Sequence, residues 1–250
     1  MTLLNKSNTL VIIPAFNEQE SIGSVVSEMK MFGYQFVVID DGSHDQTRLN
    51  AQNAGGRVVS MPFNSGVGSA LKCGFRFAFQ NQFQAVIQCD ADGQHSARYI
   101  ETLIRHANES AADLVVGNRF GSIRGSMEVS IFRRFAMALF SKVLLLRTGL
   151  VIQDSTSGFR LISRPLFSHF ANEFPSYYLG DTFEALIYAK QSGFNVSQVS
   201  VPFSNREYGV STSGTLHTLG RILQLLLNPL FVGKNTISQR SNSTEQNWIV

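Results

Sequence analysis

The stretch VIQCDADGQHSA, residues 86–97, runs apolar and then turns sharply polar, with Asp90 and Asp92 on either side of one alanine. Carboxylates this close raise each other's pKa and destabilise a fold unless positive charge lies between them. A divalent cation is the expected partner. The apolar lead-in reads as a buried strand, AVIQC over 85–89, so the two acids fall at a strand's carboxyl end.

Outward from that strand the pattern repeats. LVII (10–13), FVVI (36–39), RVVSM (57–61) and LVVG (114–117) read as further strands. Between them, Ile22, Val25, Val26 and Met29 share one face of a helix over 17–29. Val67, Ala70, Leu71, Gly74, Phe77 and Ala78 do the same over 67–78. Asn17 with Glu20 resembles a capping box, and Ser43 with Gln46 is expected to cap the second helix. Near-continuous apolar strands alternating with helices predict an α/β fold, a mostly parallel Rossmann-like sheet covered on both faces.

Ligands of such sheets bind outside the carboxyl ends of the strands. The polar chemistry gathers there: Asn17 and Glu18 after the first strand, Asp40 and Asp41 after the second, Asp90, Asp92 and Gln94 after the fourth, Arg119 after the fifth. Asp90 and Asp92, two apart on an extended chain, are expected to point to one side and face one ion. Hard oxygen ligands select Mg²⁺ or Mn²⁺ over zinc. Such an ion stabilises the charge that builds on a departing diphosphate. Asp41 is placed to accept a hydrogen bond from a base N–H, which uracil and guanine both offer.

Composition narrows the partners. The 250 residues are 44% hydrophobic and 16% charged, with net charge +3 and pI near 9.0. That balance suits phosphate-bearing ligands or an anionic membrane surface and falls short of a nucleic-acid signature. Cys73 and Cys89 stand far apart in apolar segments, as buried reduced thiols of a cytosolic protein would. The first apolar run is short and broken at Pro14, which excludes a signal peptide or anchor there. NSGVGSALKCG (64–74) is neither a dinucleotide fingerprint nor a P-loop, and DADGQH lacks the closing glutamate of an EF-hand.

LVIIPAFNEQESIG, VVIDDGSHDQT, VIQCDADGQH, VVGNRF and DSTSGFRLISR together resemble the family 2 glycosyltransferases, most closely the dolichyl-phosphate mannose synthase and polyprenyl-phosphate glycosyltransferase branch. The resemblance runs from about residue 9 to residue 213. It implies a GT-A fold, a UDP- or GDP-linked sugar donor, a divalent metal and inversion at the anomeric carbon. It places Pro14, Ala15, Glu18, Asp41 and Asp90 around the nucleotide, makes Asp90, Asp92 and Gln94 the metal and diphosphate group, and gives Asp92 a catalytic part.

The acceptor side falls in the second half. Asp154 and Arg160 come from DSTSGFRLISR (154–164), and Arg206 and Ser211 from FSNREYGVSTSG (203–214). Relatives with a lipid-phosphate acceptor usually carry a basic residue after the GxS step; here Thr212 and Ser213 follow Ser211, leaving Arg119, Arg160 and Arg206 for the phosphate. A phosphomonoester, with a second pKa near ~6, attacks without a base. A sugar hydroxyl needs one, and Asp154 and Asp181 are the candidates. Asp181 with Glu184 also reads as a capping box for the helix carrying Phe183 to Lys190.

The expected organisation is a glycosyltransferase domain over 1–214, an amphipathic helix over 215–233 touching membrane or partner, and a polar, disordered tail over 234–250. SIFRRFAMALFSKVLLLRTG (130–149) spreads its basic residues around a helix, which points to burial with long side chains reaching out. The leading expectation is transfer of a sugar to polyprenyl phosphate by a protein peripheral on the cytoplasmic membrane face, with room for a small membrane-protein anchor as partner. A saccharide hydroxyl acceptor and a non-catalytic, sugar-nucleotide-binding or scaffold subunit are the alternatives.

Overall fold

The computed structural model describes residues 2–119, 141–142, 144–172, 174 and 180–204. The order of elements is β1 (Thr9–Ala15), α1 (Ile22–Met31), β2 (Gln35–Asp40), α2 (Thr47–Asn53), β3 (Val58–Ser60), α3 (Val67–Gln80), β4 (Ala85–Gln88), α4 (Ile100–Ser110), β5 (Leu114–Asn118), β6 (Arg160–Ser163), α5 (Arg164–Phe170), α6 (Ala185–Gln191) and β7 (Val196–Ser200). Among the described residues, seven strands join one sheet in the order β3-β2-β1-β4-β6-β5-β7. The pairs β1–β2, β1–β4, β2–β3 and β5–β7 are parallel, whereas β6 runs antiparallel to both β4 and β5. This is the mostly parallel, helix-flanked sheet that the alternation of apolar runs predicts, and the GT-A architecture that the resemblance implies.

The core lies on both faces of the sheet. Val11, Ile12 and Ile13 in β1 and Val37, Val38 and Ile39 in β2 are fully buried, so neither strand shows the alternation of a half-exposed sheet. Leu71, Phe75 and Ala78 of α3, with Leu103, Ile104 and Ala107 of α4, close over it. Each fully buried Leu, Ile or Phe contributes about 1.5–3 kcal/mol from removal of apolar surface from water. The fold is therefore anchored at β1, β2 and β4, the strands whose ends carry the polar residues.

Three capping expectations are corrected. Helix α1 begins at Ile22, not at residue 17, and its N-cap Ser21 makes no side-chain cap. Asn17 instead takes a left-handed backbone (φ 55°), and its side chain accepts a hydrogen bond from the His44 amide at 2.9 Å. Asn17 thus joins the first rim loop to the second. Ser43 likewise accepts from the Asn17 amide at 3.0 Å, and the side chain that caps Thr47 is Asp45, at 2.9 Å to its amide. Helix α6 starts at Ala185, after a π-helical turn over Gly180–Glu184, with no side-chain cap from Glu184. At Asn17 and Ser43 long-range loop contacts take the place of the local capping pattern.

Arg206, Ser211 and the expected segments 215–233 and 234–250 lie outside the described residues, as does the Asp181 side chain. Of the segment 130–149, the described part is helical at 141–142 and 144–148. It exposes Leu145 (46%) and Leu146 (76%) rather than burying them, while Leu144 is buried. Among the described residues no helix is long and apolar enough to cross a membrane.

Candidate active site

The strand order opens the site. β1 has β2 on one side and β4 on the other; the chain leaving β1 turns toward α1 and β2, while the chain leaving β4 turns toward α4. A crevice at the carboxyl ends follows from that divergence. The ladder between β1 and β4 ends at Ile12↔Gln88, and Pro14, partly exposed, lies beyond it, where a missing N–H costs the β4 ladder nothing. Ala15 holds the neighbouring loop, its carbonyl accepting from the Asp41 amide at 2.9 Å.

Glu18 and Asp41 both reach this rim. The Glu18 amide donates to Thr47 Oγ1 at 2.7 Å, and its carboxylate accepts from Ser21 Oγ at 3.1 Å. Asp41 Oδ1 and Oδ2 accept the Ser65 and Gly66 amides, each at 2.8 Å. Burial pushes the Asp41 carboxyl up, and these two amides offset part of the rise. Where a base N–H was the expected donor, two backbone amides of the 64–66 loop occupy the carboxylate. Asp41 thereby fastens that loop to the end of β2. Gly42, at φ +71°, makes the turn possible, since a Cβ there would lie 2.6 Å from the Phe63 carbonyl carbon. A cavity of about 470 Å³ behind this loop is lined by Asp40, Ser43, His44, Arg48 and Met61, and by none of Asp41, Asp90, Asp92 or Arg119.

The chain is not extended through the paired acids: β4 stops at Gln88, and Ala91 and Asp92 make a turn, with Gly93 at φ +78°. Asp92, 8% exposed, folds back to accept the Gln94 amide at 3.0 Å. Asp90 keeps 37% of its side chain exposed. Among the described residues no three His, Cys, Asp or Glu side chains form a metal cage. The expected donor set, two carboxylates and the Gln94 side-chain amide, is of the chemistry that suits Mg²⁺ or Mn²⁺: such ions take one or two carboxylates and complete their shell with water and substrate phosphate.

His95 was not among the expected site residues. Buried to 4% exposure, it accepts the Asp90 amide on Nδ1 at 2.9 Å, which leaves its proton on Nε2. The 3.7 Å approach of Nδ1 to Asp90 Oδ2 is therefore not an ion pair. Burial pushes the His95 pKa down to about 4, with Arg119 adding to the effect and Asp92 and Asp154 opposing it. The ring stacks on Phe159 at 4.9 Å and meets Phe203 edge-on at 5.0 Å. Its place in the polar turn three residues after Asp92 carries no spacing signal of its own.

Asp154 is fully buried and bound by Arg119, whose Nε lies 2.7 Å from Oδ2 and whose Nη2 lies 3.1 Å from Oδ1. This departs from the expected general base, because both oxygens face a guanidinium. Burial alone would weaken the hold of Arg119 on its proton, but the bond and charge of Asp154 outweigh it and raise the pKa. The guanidinium also lies over the Phe203 ring at 5.3 Å. Arg160 departs further from expectation: 1% exposed, it donates to the carbonyls of Ser157, Thr182 and Ser155 at 2.7, 2.6 and 2.8 Å. It braces the 155–157 loop instead of facing an acceptor. That bracing sets Gly158 against the donor side, where a Cβ would stand 3.0 Å from Asp90 Oδ2.

The geometry brings together Asp90, Asp92, Gln94, His95, Arg119 and Asp154 at one rim, with Pro14, Ala15, Glu18 and Asp41 beside it. Comparison with known proteins gives the family. The chain is 28% identical over 226 residues to polyprenol monophosphomannose synthase of Mycolicibacterium smegmatis, covering 84% of this chain and 82% of that one. It is 26% identical over 242 residues to UDP-N-acetylglucosamine--dolichyl-phosphate N-acetylglucosaminyltransferase of Methanococcus voltae, covering 90% and 96%. Its fold matches glucosyl-3-phosphoglycerate synthase of Mycobacterium tuberculosis in complex with Mg²⁺ and uridine-diphosphate, at TM-score 0.65 and 23% identity over 89% of this chain and 78% of that one. The Glycosyl transferase family 2 model matches residues 10–170, and the chain, an enzyme on a GT-A sheet, belongs to that family.

Proposed function

We propose that this glycosyltransferase inverts the anomeric carbon as it moves a sugar from a UDP- or GDP-linked donor to polyprenyl phosphate. Asp90 and Asp92, with Gln94, would hold Mg²⁺ or Mn²⁺ against the donor diphosphate; the ion supplies Lewis-acid stabilisation of the leaving group. Pro14, Ala15, Glu18 and the loop fastened by Asp41 border the nucleoside. The acceptor oxygen attacks the anomeric carbon from the face opposite the departing nucleoside diphosphate, and the sugar-to-phosphate bond breaks.

One observation carries the choice of acceptor. Asp154 is sealed from solvent with both oxygens bonded to Arg119, so it is not poised to take a proton from a sugar hydroxyl. A phosphomonoester needs no such base, being largely dianionic at neutral pH. Arg119, fixed by that pair and 14% exposed at its side chain, supplies positive charge at the rim for the incoming phosphate, as Arg206 and Ser211 would from the following loop. The names of the M. smegmatis and M. voltae relatives both specify a lipid-linked phosphate, in keeping with this reading.

A lipid acceptor implies a membrane surface. Leu145, Leu146 and Val151 are exposed beside Lys142, a few residues before Asp154, an arrangement suited to peripheral contact with an anionic leaflet. The cytoplasmic face and a small membrane-protein partner belong to the same proposal. The test is sugar transfer by the purified chain from UDP- and GDP-sugars to farnesyl phosphate in phosphatidylglycerol vesicles, with Mn²⁺ or with EDTA. Transfer that EDTA abolishes, and that Asp92→Asn lowers by about 10²–10³-fold without unfolding the protein, is expected. Transfer to a free saccharide and none to farnesyl phosphate would overturn the acceptor assignment.

A further inference from the structure

We infer that His95 is a phosphoryl-oxygen ligand: its Nε2–H, fixed in that tautomer by the Asp90 amide, donates to an oxygen of the donor diphosphate or of the acceptor phosphate. The inference rests on the transferase reading above and adds a binding residue to it.

Three features carry it. Nδ1 is engaged by the Asp90 amide at 2.9 Å, so the remaining proton is on the far side of the ring. The ring cannot turn freely, because it is stacked on Phe159 with 16° between planes and held edge-on by Phe203 at 83°. Nε2 has no hydrogen-bond partner among the described residues, yet it is not among their enclosed, unsatisfied atoms, of which Arg147 Nη2 is the one case. A donor in a residue only 4% exposed is thus held open on one side. Through that opening the N–H can donate only to solvent or to a ligand oxygen.

The surroundings choose the ligand. Asp90 and Asp92 lie near the ring, and Arg119 shares the Phe203 ring with His95, 5.3 Å from its centroid. Arg119 is fixed in place by its pair with Asp154. An uncharged N–H beside carboxylates that hold a cation adds a hydrogen bond to a phosphoryl oxygen without repelling the cation. A lysine or arginine in the same place would compete with the metal for Asp90 and Asp92.

Two substitutions separate binding from scaffolding. His95→Asn keeps an acceptor near the place of Nδ1 for the Asp90 amide and deletes the distal donor. His95→Gln does the reverse, carrying an N–H toward the place of Nε2. Binding of UDP and GDP with Mn²⁺, measured by calorimetry, reports the donor diphosphate; KM for farnesyl phosphate reports the acceptor. We expect His95→Asn to melt closer to wild type than His95→Gln, yet to lose about ten- to hundredfold on one of the two ligands, whereas His95→Gln keeps that affinity within about threefold. The arm that moves identifies the phosphate. If both ligands bind His95→Asn as they bind wild type, or if His95→Gln loses affinity in step with stability, His95 is a scaffold and the inference falls. Should His95→Asn not fold, His95→Gln decides by the same criterion. A wild-type protein that binds neither nucleotide would instead refute the transferase reading itself.

Discussion

The loop after β4 and the loop before β6 each bring an aspartate to the same rim, yet Asp90 keeps 37% of its side chain exposed and Asp154 keeps none. The first lies beside the imidazole that accepts its own amide and beside a glycine; the second has a bidentate arginine. A carboxylate that keeps 37% of its surface in solvent can still be approached by a cation. One sealed against a guanidinium is consumed by the fold, and what it offers the reaction is the position of Arg119.

The largest test of that contrast is to break the sealed pair. Asp154→Asn leaves the Arg119 charge without its buried partner, and loss of one member of such a pair costs roughly 3–5 kcal/mol. Melting should fall by about 10 °C, read by calorimetry on the purified protein. A loss of under about 1 kcal/mol would place Asp154 with ordinary surface pairs and remove the contrast.

Acid should act on the other loop. The folded pKa of His95, about 4, lies below the ordinary 6.5, so between those values the unfolded chain binds more protons and stability falls as pH falls. In metal-free protein the contribution is complete above pH 6.5 and decays down to about 4, on the order of 3 kcal/mol in all. Melting temperatures of wild type and His95→Asn across that range in EDTA should converge toward the acid end, and parallel curves would contradict the buried neutral imidazole.

The smallest effect probes the point where the two loops touch. Gly158→Ala would place a methyl 3.0 Å from Asp90 Oδ2, pushing that carboxylate aside while the backbone stays as it is. Mn²⁺ activation should weaken about tenfold, the scale seen when a ligand's supporting contact is lost, with melting little changed. An unchanged metal dependence would separate Asp90 from the cation.

Five strands and helices α1 and α3 are legible in the sequence because each is a local pattern: a run of apolar residues, or apolar residues at helical spacing. β6 and β7 are not. RLIS sits inside a motif that reads as acceptor-loop chemistry, and VSQVS is only partly buried, as an edge strand can be. The paired acids and Arg119 were visible as polar residues at strand ends. His95 is not legible there, because a lone imidazole in a polar turn has no spacing signature, and its meaning depends on the Asp90 amide and two phenylalanines, one of them more than a hundred residues away.

By itself the sequence determined which segments become strands, that their carboxyl ends carry acids and bases, and which family the motifs resemble, since these depend on neighbours within a few positions. Tertiary structure alone decided how the charges are shared: that Asp154 takes Arg119 from 35 positions away, that Arg160 turns inward to three carbonyls, and that Asp41 holds a loop. The reason is that Coulombic and hydrogen-bond partners are chosen by distance and desolvation in space, which the order of residues does not encode directly.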